Sequence, residues 1–473
     1  MIKIDKQRDG TMSINFHTFY IGDKILLYDV GSGSLHEISE TCNALLEGLA
    51  KNNDNTDNFL DSLRSQAKKK WSKDDDVTEA FEQLSNLHEQ GLLCFYKKSD
   101  HVKFNTEKDS KKPLGVKALC LHPAHACNMD CKYCFADGGL FNGQTSYMDT
   151  KTAERAVDFL IDQSGARKNL EIDFFGGEPL LNFSVIKETV EYARKQAEKY
   201  NKSFKFTLTT NGLALTDEII DYIINENFAV VMSIDGRKHI NDYYRTDLKG
   251  NGTYDKILPK FQKLAHALTT YGSQEYYMRG TYTKQNLDFS KDVLHLAELG
   301  FKHISVEPVI GDLDSKYSLS SNDLDYITKE YKLIADESSM RSDLNFFHFN
   351  IDLEGGPCSI KKITGCGAGF DYLAVDPSGD IFPCHQFVSK NEFYMGNVSK
   401  PEQINKDISK RLKSCNILTK DICKTCWARY LCGGGCHANA FNINENLDTP
   451  YDVDCAIKKI QFEHALYLKA LNN

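Results

Sequence analysis

The chain has 473 residues, of which 41% are hydrophobic, and its 57 Lys and Arg against 66 Asp and Glu give a net charge of −9. That length allows about three domains, the apolar share excludes wholesale disorder, and the acidic balance argues against a surface built to track nucleic-acid phosphates. No stretch approaches the roughly 20 apolar residues that span a bilayer, and MIKIDKQRDG has no apolar signal core, so the expected location is cytoplasmic, with no membrane and no nucleic acid as partner. A reducing cytosol does not keep structural disulfides, and the odd number of 15 cysteines cannot pair fully, which points to metal ligation.

Cysteine density divides the chain: residues 1–110 hold two, 111–350 four and 351–473 nine. In the first block, FYIGDKILLYDVGSGSLHEI predicts three short strands around turns at Gly22-Asp23 and Gly31-Ser32-Gly33. Helices follow over 39–49 and 76–90, the second with Val77, Ala80, Phe81, Leu84 and Leu87 on one face and a stop at Gly91. Three strands and about three helices make a small winged-helix-like unit, and the charged run 97–112 before Pro113 reads as a linker.

The middle block alternates strand and helix. Strands are expected at VKALCLH, LEIDFFGG, FKFTLTTNG, FAVVMSIDG, YYMRGTYT and HISVEPVI, with helical patterns such as Ala153, Ala156, Val157, Leu160 and Ile161 between them. Six such units predict an α/β fold, a partial (β/α)6 barrel of parallel strands whose ligand site lies at the C-terminal strand ends. The third block, rich in Gly and Cys, is expected to replace part of its core with metal. The expected domains are therefore 1–108, 109–330 and 331–473.

After the first barrel strand stands Cys127-Asn-Met-Asp-Cys131-Lys-Tyr-Cys134. Three thiolates on one tight loop can hold three corners of a [4Fe-4S] cluster and leave one iron open to a chelating ligand; the bland alternative is a structural zinc loop. Gly176-Gly177-Glu178-Pro179 closes the second strand, Thr210-Asn211-Gly212 the third and Ser233-Ile234-Asp235-Gly236 the fourth, with Arg245 in the following loop and Arg279 and Glu307 on the last two strands. The Cys triplet, with an aromatic residue before its last cysteine, and the GGEP motif in that order resemble the radical S-adenosylmethionine (SAM) enzymes. The resemblance implies a [4Fe-4S] cluster on Cys127, Cys131 and Cys134, the catalytic cysteines. It also implies SAM contacts from Tyr133, Gly176, Gly177, Glu178, Asn211, Ser233, Arg245 and Glu307, among which Glu178 would accept from the methionine ammonium and Ser233 and Arg245 would hold its carboxylate. For Arg245 a surface ion pair, and for Glu307 a structural strand-end carboxylate, are the plain alternatives.

The tail reads Cys366-x12-Gly379-x4-Cys384, then Cys423-x2-Cys426-x5-Cys432-x3-Cys436 and Cys455. Taken alone such pairs could bind zinc. In context the gap lengths are similar to the SPASM domain of radical SAM peptide maturases, which implies two auxiliary [4Fe-4S] clusters and three clusters in all. Cys423, Cys426, Cys432 and Cys455 would hold one, and Cys366, Cys384 and Cys436 the other, its fourth ligand being Cys358 or a substrate thiolate. Cys42, Cys94, Cys120 and Cys415 read as small core residues, His385 as a neighbour of the cluster or a proton-transfer group, and Trp427 as packing over the cluster loop.

The first block, without Cys pairs or a convergent acid–base set, resembles the RiPP recognition element, which captures a peptide leader by strand addition; buttressing of the barrel or dimerisation is the alternative. Stretches such as CGAGFDYLAV, CHQF, GNV and LCGGGCHANA are most similar to the SCIFF and ranthipeptide maturases. That resemblance implies an enzyme that installs thioethers in a Cys-rich precursor peptide by radical chemistry, served by a donor such as flavodoxin or ferredoxin. Other SPASM maturases, of sulfatase-activating, Cα-thioether-forming or epimerase type, are the nearest rivals, and an electron-transfer protein is the rival outside enzymes.

Overall fold

The structure is a computed structural model, and it describes residues 15–51, 61, 63–65, 75–94, 115–273, 275–310, 315–353 and 362–471. The expected linker and Cys358 lie outside the described residues. β1 (Phe16–Ile21), β2 (Lys24–Asp29) and β3 (Leu35–Ile38) form an antiparallel meander in chain order, turned at Gly22, whose φ of 62° suits a residue without Cβ. Both faces of this sheet are buried. Ile25 and Leu27 face Leu45 and Leu46 of α1 (Glu40–Lys51) and Ala80 and Leu84 of α2 (Asp75–Glu89). Leu26 and Tyr28, one residue out of phase, lie with Phe19 and Ile21 against Trp427 and Leu466 from the far end of the chain.

Beyond residue 115 the chain runs β4 (Ala118–His125), β5 (Met129–Cys131), β6 (Ser146–Tyr147), α3 (Thr150–Gln163), β7 (Asn169–Gly176), α4 (Phe183–Tyr200), β8 (Ser203–Thr210), α5 (Asp217–Asn225) and β9 (Ala229–Ser233). It continues through α6 (Lys238–Tyr244), β10 (Arg245–Asp247), α7 (Tyr254–Thr270), β11 (Tyr276–Tyr282), α8 (Ser290–Glu298), β12 (His303–Pro308), α9 (Leu324–Met340) and β13 (Asn345–Phe346). Six parallel strands lie in the order β12-β11-β9-β8-β7-β4, which is the partial barrel expected from the pattern. Alternate residues such as Leu119, Leu121, Ile172, Phe174, Phe206 and Met232 point outward into one core with Ala156, Val157 and Leu160 of α3, which leaves the intervening Asp173, Thr207, Ser233, Arg279 and Glu307 toward the barrel interior.

The sheet does not stop at the barrel. β13 pairs parallel with β12, and on the opposite edge β14 (Tyr372–Val375) pairs parallel with β4, followed antiparallel by β15 (Asp380–Phe382) and β16 (Gly396–Asn397). A strand of the Cys-rich block thus covers the open edge of the first barrel strand, whose N–H and C=O groups would otherwise be unpaired. Residue 330 lies inside α9, which packs against the C-terminal helix, so no break in structure marks that position. The chain closes with α10 (Lys406–Ser414), α11 (Asp421–Lys424), α12 (Arg429–Cys432), α13 (His437–Asn444) and α14 (Asp452–Leu471). Among the described residues no helix is long and apolar enough to cross a membrane.

Candidate active site

Cys127, Cys131 and Cys134 lie on the loop that leaves β4. The middle of that loop is β5, zipped antiparallel to β10 with Cys131 opposite Arg245. This pairing explains how an arginine far along the chain reaches the triplet. Arg245 Nη1 donates to the Tyr133 hydroxyl at 3.1 Å, and that hydroxyl lies 2.8 and 2.6 Å from the two oxygens of Asp235, donating to the carboxylate. The Thr281 N–H donates to Asp235 Oδ1 at 3.1 Å. Burial pushes the Asp235 carboxyl up to about 6 against the opposing pull of Arg245. Arg245 Nε is buried and unpartnered among the described residues, so one donor of the guanidinium is left for an acceptor that those residues do not supply.

Burial also pushes the thiols up, Cys127 to about 12 and Cys131 to about 11, with the other thiols of the triplet adding to the shift. A cationic centre bound to them would reverse that balance and deprotonate them. Asn211 Nδ2 donates to Asn128 Oδ1 at 2.8 Å and lies 3.5 Å from Cys127 Sγ. Gly176 and Gly177 are needed for close approach: a Cβ would stand 2.6 Å from the Ala124 carbonyl oxygen at Gly176 and 2.1 Å from that of Ala126 at Gly177. The GGEP turn therefore presses directly on the root of the Cys loop.

Glu178 is turned inward. Its Oε1 accepts from Leu180 N at 3.1 Å and Thr210 Oγ1 at 2.8 Å, and its Oε2 accepts from Asn211 N at 2.8 Å. Burial raises its carboxyl to about 7 despite these donors. It braces the ends of β7 and β8 together and caps the turn at Pro179–Asn182. Ser233 ends β9 in register with Arg279. Glu307 accepts from Ser305 Oγ at 2.7 Å, with His348 Nε2 at 2.9 Å and Arg279 Nη1 at 3.7 Å. Burial opposes its ionisation, but His348 and Arg279 outweigh that and hold it well below the usual carboxylate range. The other ring nitrogen of His348 faces Tyr331 Oη at 2.9 Å and Gln461 Nε2 at 3.2 Å. His348, Tyr331 and Gln461 come from three segments beyond the barrel strands, and no spacing in the sequence links them to Glu307.

The second set of thiols gathers in the interleaved manner of the spacing. Burial raises the Cys384 thiol and takes Cys436 up to about 11, with Cys366 close enough to both to add to each shift. Burial and mutual proximity likewise bring Cys423 to about 11 and Cys455 to about 12, with Cys426 and Cys432 beside them. Gly433, Gly434 and Gly435 all have positive φ, and a Cβ on Gly433 would meet the Thr364 carbonyl oxygen at 2.7 Å, so the glycines let the Cys366 loop lie against the segment between Cys432 and Cys436. The described cysteines are free of disulfides. Among the described residues no three His, Cys, Asp or Glu side chains converge as on a single metal ion, whereas the thiolates of a cubane cluster stand further apart.

Of the remaining cysteines, Cys42, Cys120 and Cys415 are buried in the core and Cys94 is partly exposed. His385 packs on Phe175 at 4.8 Å between ring centroids and lies near His122, which meets His125 at 3.0 Å (Nδ1 to Nε2). The histidine pair escaped the sequence pattern because the register shift between Leu121 and Ala124 alters the strand alternation there. Trp427 stacks on His17 of β1 at 4.0 Å and 3°.

Residues 121–310 match the radical SAM superfamily and 366–427 the SPASM iron–sulfur cluster-binding domain. An uncharacterised protein of Methanocaldococcus jannaschii is 31% identical over 41% of this chain and 63% of its own, so the chain spans less than two thirds of that relative. A cysteine-type anaerobic sulfatase-maturating enzyme of Clostridium novyi is 23% identical over 68% of this chain and 88% of its own. The crystal structure of Streptococcus suis SuiB bound to S-adenosylmethionine has a TM-score of 0.52 at 17% identity and covers 94% of this chain and 100% of its own. Fold, gathered thiols and both family matches converge: residues 121–310 form a radical SAM domain, which binds a [4Fe-4S] cluster and SAM, and residues 366–427 an iron–sulfur-binding SPASM domain.

Proposed function

We propose that this enzyme matures a ribosomally made, Cys-rich peptide by forming thioether bonds between Cys sulfur and a carbon of an acceptor residue. In this reading Cys127, Cys131 and Cys134 hold the cluster that binds SAM. Cys423, Cys426, Cys432 and Cys455 hold one auxiliary cluster, and Cys366, Cys384 and Cys436 the other, closed by Cys358 or by a substrate thiolate. When bound, these groups supply a 5′-deoxyadenosyl radical and a sink for one electron, so that a C–H and an S–H become a C–S bond and the peptide loses two hydrogens.

The chain's own residues supply position. The observation that carries the SAM site is the unpartnered Nε of buried Arg245, held beside the triplet by the Tyr133 hydroxyl and able to donate to a carboxylate. Asn211 orients the Cys127 end of the loop, and Glu178 serves as a brace that fixes the Asn211 backbone. For the peptide, β3 lies at a sheet edge, where an extended leader can add as a fourth strand. The SuiB structure also exists bound to its precursor peptide, and the Clostridium novyi relative matures a protein substrate by name. Residues 1–108 would be the leader-binding unit, 109–330 the barrel and 331–473 the SPASM domain, with the electron donor a flavodoxin or ferredoxin and the setting the cytoplasm.

The test is co-expression with a short Cys-rich peptide encoded beside the gene, followed by mass analysis. A loss of two hydrogens per modified Cys, with fragments that stay joined across a Cys, is expected. Conversion of a Cys or Ser to formylglycine, or inversion without mass change, would place the enzyme in another maturase class.

A further inference from the structure

Arg279 stands midway along β11, in register with Ser233 of β9 and Ser305 of β12 and on the strand face opposite Met278, which is buried in the outer core. Its side chain is nonetheless 51% exposed, so the barrel interior is open at that level. Among the described residues its guanidinium makes no hydrogen bond: the carboxylate that approaches it, Glu307, stands 3.7 Å from Nη1. Glu307 Oε1 already accepts from Ser305 Oγ at 2.7 Å and has His348 Nε2 at 2.9 Å. The charge of Arg279 is also felt by the ring of His385. That ring packs on Phe175 of β7 at 4.8 Å and on Phe135, just past Cys134, at 5.6 Å between centroids. Phe135 is 49% exposed. An open guanidinium and an open aromatic ring thus flank one histidine, where the Cys loop, the barrel and the Cys384 segment meet.

Five N–H donors in a planar fork suit an oxyanion. The neighbouring Glu307 does not exclude a second carboxylate, because a guanidinium can serve two: in this molecule Arg237 holds Asp288 at 3.0 and 2.8 Å and Asp292 at 2.7 and 3.2 Å. SAM is not the anion that Arg279 lacks, since its sulfonium and ammonium are cations and its one carboxylate is assigned above to Arg245. A peptide can supply a carboxylate on an apolar stem. We infer that Arg279 binds a carboxylate of the peptide substrate, borne by an Asp or Glu side chain or by the chain end, with Phe135 taking the apolar part beside it. The inference rests on the peptide reading above, deepens it to a substrate preference, and assigns Arg279 and Phe135 as specificity residues.

The test uses the full chain, reconstituted anaerobically, saturated with SAM and kept without reductant so that no turnover occurs, with binding read by ligand-detected saturation-transfer NMR. One probe pair is Nα-acetyl-glutamic acid N-methylamide, with its carboxylate on the side chain, and the neutral glutamine counterpart. The other is Nα-acetyl-norvaline, whose carboxylate ends the chain, and its neutral N-methylamide. An acid should bind about tenfold tighter than its neutral counterpart, the effect of a charge-assisted hydrogen bond, and the pair in which it does so tells a side chain from a chain end. Arg279→Gln should erase that preference with iron content and SAM affinity unchanged. Arg279→Lys, which keeps the charge but not the fork, should hold it to a few-fold, and decides the matter where the Gln variant does not retain its iron. Equal binding of both acids and their neutral counterparts, or a preference undiminished in the iron-replete variants, would overturn the subsite. A loss of SAM affinity in either variant would place Arg279 in the SAM site and overturn the peptide assignment. Peptide modification is read separately by mass, so a failure of the maturase reading leaves a different signature from a failure of this one.

Discussion

Arg245 holds the Tyr133 hydroxyl at 3.1 Å while that hydroxyl donates to Asp235, so a single phenol ties the Cys loop to the end of β9 and to β10. The phenol is the one member of the set that can both accept from a guanidinium and donate to a carboxylate. Its removal would leave two opposite charges, both enclosed, without their bridge.

Tyr133→Phe should therefore destabilise the fold by about 1–3 kcal/mol, the cost of a lost bond to buried charged groups, and weaken SAM binding about tenfold as Arg245 loses its fixed position. Iron content after anaerobic reconstitution should be near wild type, since no thiol is altered. Equilibrium SAM binding and chemical denaturation check this, and unchanged SAM affinity would show that Arg245 does not act through Tyr133.

Glu178 sets a pH dependence of stability. Its folded carboxyl is raised to about 7 by burial, from an ordinary value of 4.5, so between these values the native state binds more protons than the unfolded state and stability falls as pH rises. Relative to Glu178→Gln, the wild type should lose up to roughly 3 kcal/mol between pH 4.5 and 7.5. Denaturation midpoints of both proteins across that window measure the difference. A constant gap between them would mean that the carboxyl is not held protonated by burial.

Gly177→Ala places a methyl 2.1 Å from the Ala126 carbonyl oxygen, a contact that no side-chain rotation relieves. The GGEP turn must then back away from the root of the Cys loop, at a cost on the order of 3 kcal/mol or more. Iron content should fall by roughly one cluster, about four irons, and SAM cleavage should be lost. The same loss of iron is expected of Cys127→Ala, Cys131→Ala, Cys134→Ala combined, with the C-terminal iron retained; iron analysis with electron paramagnetic resonance separates the two populations.

His17 joins the N-terminal sheet to the loop of Cys426 by stacking on Trp427, and to α14 by a 2.8 Å contact with Glu463. His17→Ala should loosen this junction by about 1–2 kcal/mol and raise hydrogen exchange in β1 and around residues 427–431, while α3 and α4 of the barrel stay protected. Removal of the whole N-terminal unit would uncover Trp427, Tyr430, Leu431 and Leu466 at once, so leader binding is better probed by point changes on β3 than by truncation. Equal exchange in wild type and variant would show that the stack carries no docking energy.

Local pattern was enough for much of this molecule. The six barrel strands fall where the apolar runs VKALCLH to HISVEPVI stand, because a strand buried against helices is written in consecutive residues. Cys127, Cys131 and Cys134 are likewise close because they share one short loop, whereas Cys366, Cys384 and Cys436 come together only through the fold. Contacts between distant segments were decided by the tertiary structure alone. Arg245 reaches Cys131 through strand pairing, and His348, just beyond β13, meets Glu307 at the end of the neighbouring β12. Asn439 donates to Asp454 of the last helix, and Trp427, which clusters with Tyr430 and Leu431 of its own segment, also stacks on His17. Each of these depends on how separate elements pack, and the energy of such a contact leaves no period or spacing in the sequence on either side of it.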